Sequence, residues 1–82
     1  MLSENRPTTK ELLMSWQRLW QRKLNGKPSE IKEAIEGHVR LFPKGNRSEV
    51  EARIRRTIAA YSGNPNAIRA HMVRGATLLR NL

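Results

Sequence analysis

The chain has 82 residues, with 16 lysines and arginines against 7 acidic residues, which gives a formal net charge of +9. This length predicts one small domain spanning residues 1–82. The absence of cysteine excludes a disulfide framework and a thiolate metal site. No apolar run reaches the roughly 20 residues of a membrane span. The excess of basic residues favours a polyanionic partner, and nucleic acid is the first class to consider.

The N-terminal part of the sequence predicts a short frayed end followed by helix 1. Residues 1–6 are polar and do not form a signal peptide, which together with the lack of cysteine predicts a cytoplasmic protein. Thr8 and Glu11 have the T-x-x-E spacing of a capping box, so helix 1 is predicted to begin at Thr8. The turn at residues 25–28 contains Gly and Pro and ends the helix. Its apolar stripe consists of Leu12, Leu13, Trp16, Leu19, Trp20 and Leu24.

Two further helices are predicted between residues 29 and 61. Helix 2 begins near Ser29 and ends before a turn at residues 43–46. Helix 3 begins at Ser48, which stands three residues before Glu51 in a second capping box. Apolar residues at spacings of three and four predict that one face of each helix is buried. These residues are Ile31, Ala34, Ile35, His38 or Val39, and Phe42 on helix 2, and Val50, Ile54, Ile58 and Tyr61 on helix 3.

Helix 4 is predicted to follow the turn at residues 62–65. Asn64 is a suitable N-cap with Pro65 at the first helical position, and Ile68 and Met72 are expected to face inward. Gly75 predicts the C-terminal stop. The tail, residues 77–82, is expected to be a short strand, a last helical turn or an apolar tail. The predicted fold class is therefore all-α, a compact bundle of about four short helices.

The charges are distributed unevenly along the chain. The last acidic residue is Glu51, and six arginines follow it from Arg53 onwards. Arg53 and Arg55 each have a glutamate four residues earlier, so both are predicted to form helical ion pairs. The basic residues without such a partner are the better candidates for phosphate contacts, because each neutralised phosphate also releases a counterion. They are Arg18, Arg22, Lys23, Arg56, Arg69 and Arg74.

Catalytic and metal-binding residues are scarce. The sequence contains no Asp and no Cys, and its two histidines, His38 and His71, lie on different predicted helices without the spacing of a metal motif. The glycines stand apart and do not form a phosphate-binding loop. We therefore expect no enzymatic activity, no cofactor and no metal, and His38 is expected to be a packed or surface histidine.

The large aromatic residues allow two interpretations. Trp16 and Trp20 lie one turn apart on the apolar stripe of helix 1, which favours burial over a platform for stacked bases. Tyr61 falls on the inner stripe of helix 3, where a core role and an RNA contact are equally compatible with its position.

Residues 54–62 read I-R-R-T-I-A-A-Y-S. This segment resembles L-R-R-A-L-x-x-Y-T, a pattern of the FinO/ProQ family of RNA-binding domains. Ile68, Ala70, Met72 and Gly75-Ala76 follow, similar to a family helix that ends in A-M-x-x-G-A but with one extra residue. Upstream, the tryptophan-containing helix 1 and Pro28 are also similar to the family, although residues 29–31 lack its lysine and glycine.

The resemblance implies recognition of structured RNA, typically a stem-loop with a single-stranded 3′ tail, by a basic concave face. It implies RNA-contacting roles for Arg55, Arg56, Tyr61 and Ser62. The expected function is thus that of a non-enzymatic RNA chaperone or regulator.

Two other classes of function remain open on the sequence. One is a helix-turn-helix-like DNA-binding regulator of plasmid or phage type, in which helices 2 and 3 form the unit and Arg53 and Arg56 enter the major groove. Such proteins usually form dimers, and Leu78, Leu79 and Leu82 are available as a homodimer contact. The other is a phage-type protein that binds and inhibits an acidic host protein through its basic face.

Overall fold

A computed structural model describes residues 7–82 of the chain, so the predicted fraying of residues 1–6 lies outside the described part. Within residues 7–82 the structure contains four α-helices and no strand, which confirms the all-α prediction. The helices are α1 (Thr9–Asn25), α2 (Pro28–Val39), α3 (Arg47–Ala60) and α4 (Pro65–Arg80), and a 3₁₀ turn (Lys44–Asn46) precedes α3. No helix in this part of the chain is both long and apolar enough to cross a bilayer.

Two of the predicted helix starts are confirmed by their hydrogen bonds. The Glu11 backbone N–H donates to the Thr8 hydroxyl over 3.1 Å, and the Thr8 backbone N–H donates to the Glu11 carboxylate over 2.9 Å. At α4, the Asn64 side-chain oxygen accepts from the Ala67 backbone N–H, and Pro65 takes the first helical position. In both caps a side-chain oxygen accepts from a backbone N–H that the start of a helix leaves unpaired. A few neighbouring residues are therefore enough to identify such a cap in the sequence.

The predicted capping box at Ser48 and Glu51 is wrong. The chain enters α3 directly from the 3₁₀ turn, and the Arg47 backbone N–H donates to the carbonyl of Lys44. This turn prolongs the helical path, which leaves Ser48 inside the helix, and α3 has no side-chain cap. Glu51 instead accepts a hydrogen bond from the Arg55 side chain.

The prediction that helix 4 stops at Gly75 is also wrong, because α4 continues to Arg80. The tail at residues 77–82 is therefore mostly helical, and the short-strand alternative is excluded. Gly75 lies under the indole ring of Trp16: a Cβ atom placed on it would come within 2.1 Å of Trp16 Cζ2. The glycine thus allows α1 and α4 to approach closely, and the Trp16 Nε1–H donates to the Met72 carbonyl over 2.9 Å.

Helix α1 is the centre of the packing, since it contacts both α2 and α4, while α3 packs mainly on α2. Leu19 and Trp20 on α1 are completely inaccessible to solvent. They belong to one core cluster that also contains buried side chains from each of the other helices, which are Ala34, Ile35, Val39, Ile54 and Ile68. The inward residues predicted from the apolar stripes are all buried or half-buried.

The four large aromatic side chains and both histidines form one continuous cluster of rings. His71 lies at its centre, with ring centroids 5.1 Å from Trp16, 5.0 Å from Trp20 and 5.7 Å from Tyr61. The ring centroid of Trp16 also lies 5.9 Å from that of His38. His38 in turn lies 5.4 Å from Phe42. The core interpretation of the tryptophans is therefore confirmed: Trp20 is fully buried and Trp16 is sandwiched between helices.

We expect the thermal stability of the protein to fall when the pH is lowered from about 7.5 to about 5.5. Burial lowers the pKa of His38, and burial together with the Arg74 charge lowers the pKa of His71. The unfolded chain therefore takes up protons at these sites more readily than the folded one. Their contribution to stability is present above the ordinary histidine pKa of about 6.5 and is lost as the pH falls towards the lowered values.

Thermal unfolding followed by circular dichroism at several pH values tests this expectation. The His38→Gln variant serves as the comparison, because a neutral side chain at this position removes one of the two titrations. Its melting temperature should vary less with pH over the same interval. A wild-type melting temperature that stays constant or rises on acidification would contradict the argument.

Candidate nucleic-acid interface

Helix α4 carries only basic charge. Its charged side chains are Arg69, Arg74 and Arg80, and all three are exposed. Every glutamate within the described residues lies on α1, α2 or α3. Helix α4 therefore adds positive charge and no carboxylate to the surface, which favours an anionic partner.

Two of these arginines interact with neighbours on the same helix. Arg69 donates a hydrogen bond to the Asn66 side-chain oxygen over 3.2 Å. Arg74 lies near enough to His71 for its charge to help lower the pKa of that histidine. The Arg74 side chain itself is exposed.

Two of the arginines of α3 form the ion pairs that their spacing predicted, and a third does not form one. Arg53 pairs with Glu49 over 3.0 Å, and Arg55 pairs with Glu51 over 2.9 Å. These are the two ion pairs within residues 7–82, and Arg56 is exposed and takes part in neither. The pairing argument for Arg53 and Arg55 is thus confirmed, and Arg56 keeps its charge available.

Arg18 and Arg22 lie on the exposed ridge of α1, between two grooves. The α1–α2 groove has a volume of about 490 Å³, and three carboxylates line it together with these arginines: Glu11, Glu30 and Glu33. The α1–α4 groove, of about 430 Å³, is lined by Gln17, Arg18, Gln21, Arg22 and Met72. The same two guanidinium groups thus border one acidic groove and one groove without acid.

Of the remaining predicted site residues, two are half-buried and one lies in the turn before α4. Lys23 is half-buried on α1. Tyr61 is half-buried against the core, which agrees with the structural interpretation of its ring. Ser62 is exposed in the turn before α4, where its backbone N–H donates to the Ala59 carbonyl over 3.3 Å.

Sequence reasoning left out several residues of these surfaces. Arg80 was not among the predicted contacts, and it lies on α4 because the helix continues past Gly75. Gln17, Gln21 and Met72 form the α1–α4 groove only because two helices meet there, and no local pattern in the sequence marks them. Among the C-terminal leucines, Leu78 and Leu82 are exposed on the surface, and Leu79 is half-buried.

The histidines have structural environments. His38 is only 4% exposed, and its Nδ1 lies 2.9 Å from the Ser15 hydroxyl. Within residues 7–82, no three side chains of His, Cys, Asp or Glu converge in a metal-binding arrangement.

No protein-family model, curated protein or solved structure matches this chain.

Proposed function

We propose that this protein binds structured RNA without catalysing a reaction, and acts as a chaperone or regulator of that RNA. The observation that carries the proposal is the outer surface of α4, where three exposed guanidinium groups stand on a helix that has no carboxylate. Arginine is suited to this role because its planar group binds phosphate oxygens in a bidentate manner. The resemblance of residues 54–76 to an RNA-binding family supports RNA as the nucleic acid.

Duplex DNA is the less well supported partner. In the helix-turn-helix alternative, α2 and α3 would be joined by a turn of about 3–4 residues. Here residues 40–46 separate the two helices, and the Arg47 side chain donates to the Phe42 carbonyl within this longer connection. Arg53, which that alternative places in the major groove, is held by Glu49. Both features are less suited to reading base edges in a groove.

The first test compares the binding of a stem-loop RNA with that of a DNA duplex of equal length, at about 50 mM and about 200 mM salt. We expect tighter binding to the RNA and a steep loss of affinity with salt, because each phosphate contact releases counterions. Equal or tighter binding to the duplex would favour the DNA-binding alternative. Salt-independent or absent binding to both nucleic acids would contradict the proposal and favour an acidic protein partner.

The second test compares two adjacent arginines of α3. Arg56→Ala should reduce RNA affinity about fivefold and lower the salt slope by about one contact, because its guanidinium is free to meet a phosphate. Arg55→Ala should have a smaller effect, since Glu51 already occupies that side chain at 2.9 Å and offsets its charge.

The pair is well matched because both arginines are exposed on the same helix and the same atoms are removed. Circular dichroism of both variants checks that the fold is retained. A larger loss for Arg55→Ala would show that the Glu51 pairing does not decide which arginine contacts RNA.

A further inference from the structure

The α1–α4 groove is lined by two carboxamides, two guanidinium groups and one thioether. Gln17 and Gln21 lie one turn apart, so their carboxamides form a row along α1, and Arg18 and Arg22 form a parallel row beside it. Met72 of α4 contributes the opposite wall. The Met72 backbone is held in place, because its carbonyl accepts the Trp16 Nε1–H across the same helix interface.

The two rows of side chains match the two parts of a nucleotide. A carboxamide both donates and accepts hydrogen bonds, as does the Watson–Crick edge of a base. A guanidinium group binds phosphate. The polarizable thioether of Met72 gives the base plane an apolar surface. The groove volume of about 430 Å³ is within the range of small-molecule sites, roughly 300–1,000 Å³.

Electrostatics distinguish this groove from the one on the other side of α1. In the α1–α2 groove, Glu11, Glu30 and Glu33 stand beside the same two arginines and would repel a phosphate. The α1–α4 groove has no carboxylate in its lining. Arg69 stands three residues before Met72 on α4, which makes it a neighbour on that helix surface and joins the groove to the basic side of α4.

We infer that the α1–α4 groove binds one unpaired nucleotide of RNA, with Gln17 and Gln21 hydrogen-bonded to the base and Arg18 and Arg22 to the phosphate. This inference rests on the proposed RNA-binding function and assigns a part of it to a defined site. The nucleotide must be unpaired, because pairing occupies the base edge that the carboxamides would meet. A paired stem would contact the arginines on the outer surface of α4 through its phosphates only.

The test uses the full chain and two kinds of RNA: a blunt stem-loop whose loop is a non-nucleotide linker, so that all of its bases are paired, and the same stem-loop with a four-uridine extension at the 5′ or at the 3′ end. The Gln17→Ala/Gln21→Ala variant should bind an extended RNA about tenfold more weakly than wild type, which corresponds to the loss of about two hydrogen bonds. Its affinity for the blunt stem-loop should be unchanged. Asn81→Ala is the control, since it removes an exposed amide at the end of α4 and outside the groove.

A second measurement observes the site directly and separates two sources of the ligand. The chain contains two glutamines, so their side-chain NH₂ signals in a ¹⁵N NMR spectrum can be assigned from the two single alanine variants. The extended RNA should shift these signals and the blunt stem-loop should not. Shifts produced by uridine monophosphate, without a preference for the extended RNA, would support a nucleotide site whose ligand is the free nucleotide.

The outcomes distinguish a failure of the site from a failure of the function. If wild type binds both RNAs, and neither the extended RNA nor the mononucleotide shifts the glutamine signals, the groove assignment is overturned while RNA binding stands. If wild type binds neither RNA and the mononucleotide leaves these signals unmoved, both the groove assignment and the proposed function are overturned.

Discussion

Replacing Gly75 by alanine should destabilise the protein by about 2 kcal/mol, although the same change inside an exposed helix is normally stabilising. A Cβ atom at this position would lie 2.1 Å from Trp16 Cζ2 and 2.3 Å from Trp16 Cε2. The ring is held by its hydrogen bond to the Met72 carbonyl, so relief requires α1 and α4 to move apart. Such overpacking costs about 3 kcal/mol, and the better helix propensity of alanine recovers up to about 1 kcal/mol.

Gly37 provides the matched control for this substitution. It also lies inside a helix, α2, but a Cβ atom added there meets nothing within 4 Å. Gly37→Ala should therefore stabilise the protein by about 0.5–1 kcal/mol, the ordinary gain of replacing glycine in a helix. Urea unfolding of both variants gives the two free-energy changes, and their signs are expected to be opposite.

A double variant identifies the contact that is responsible. Phenylalanine lacks the indole atoms that a Cβ on Gly75 would meet, so Trp16→Phe/Gly75→Ala should lose less stability than the sum of the single changes. If Gly75→Ala alone were as stable as wild type, close packing of Trp16 on α4 would not be the reason for this glycine.

Trp20→Ala is the second substitution expected to have a large effect, with a loss of about 3–5 kcal/mol. Trp20 is completely buried and contacts Trp16 and His71 edge-on, at 5.5 Å and 5.0 Å between ring centroids. A domain of this size has a total stability of roughly 4–12 kcal/mol at the usual value per residue. The variant should therefore be unfolded or close to it at 37 °C, which circular dichroism and thermal unfolding would show.

Two comparisons make the Trp20 result specific. Met14→Ala removes a large apolar side chain from the same helix, but Met14 is 54% exposed, so its loss should be below about 1 kcal/mol. Trp20→Phe should cost less than Trp20→Ala, because it keeps a ring in the cluster and removes the buried Nε1–H, for which the described residues offer no acceptor. An unchanged melting temperature for Trp20→Ala would show that the ring cluster is not part of the stable core.

The two large substitutions also separate folding from binding. Gly75 and Trp20 lie in or against the core, so their effects on RNA affinity should follow the fraction of folded protein. Arg56 and Gln21 are exposed, and Gln17 is half-buried outside the core cluster, so their alanine variants should bind less while their melting temperatures stay near that of wild type.

Features that depend on a few neighbouring residues could be predicted from the sequence. The capping box of Thr8 and Glu11, the Asn64–Pro65 start of α4, and the apolar stripes follow from helix geometry within one or two turns. The ion pair between Glu51 and Arg55 follows from the same geometry, because residues four apart lie side by side on a helix.

The tertiary structure decided everything that involves two helices. Gly75 has the local pattern of a helix stop, yet the Trp16 ring packed over it makes it a close-approach residue inside α4. Arg18 and Arg22 have no acid at helical spacing, but α2 brings Glu30 and Glu33 into the groove beside them. The α1–α4 groove exists for the same reason: residues 17–22 and Met72 are distant in sequence, and the packing of α1 against α4 brings their side chains together.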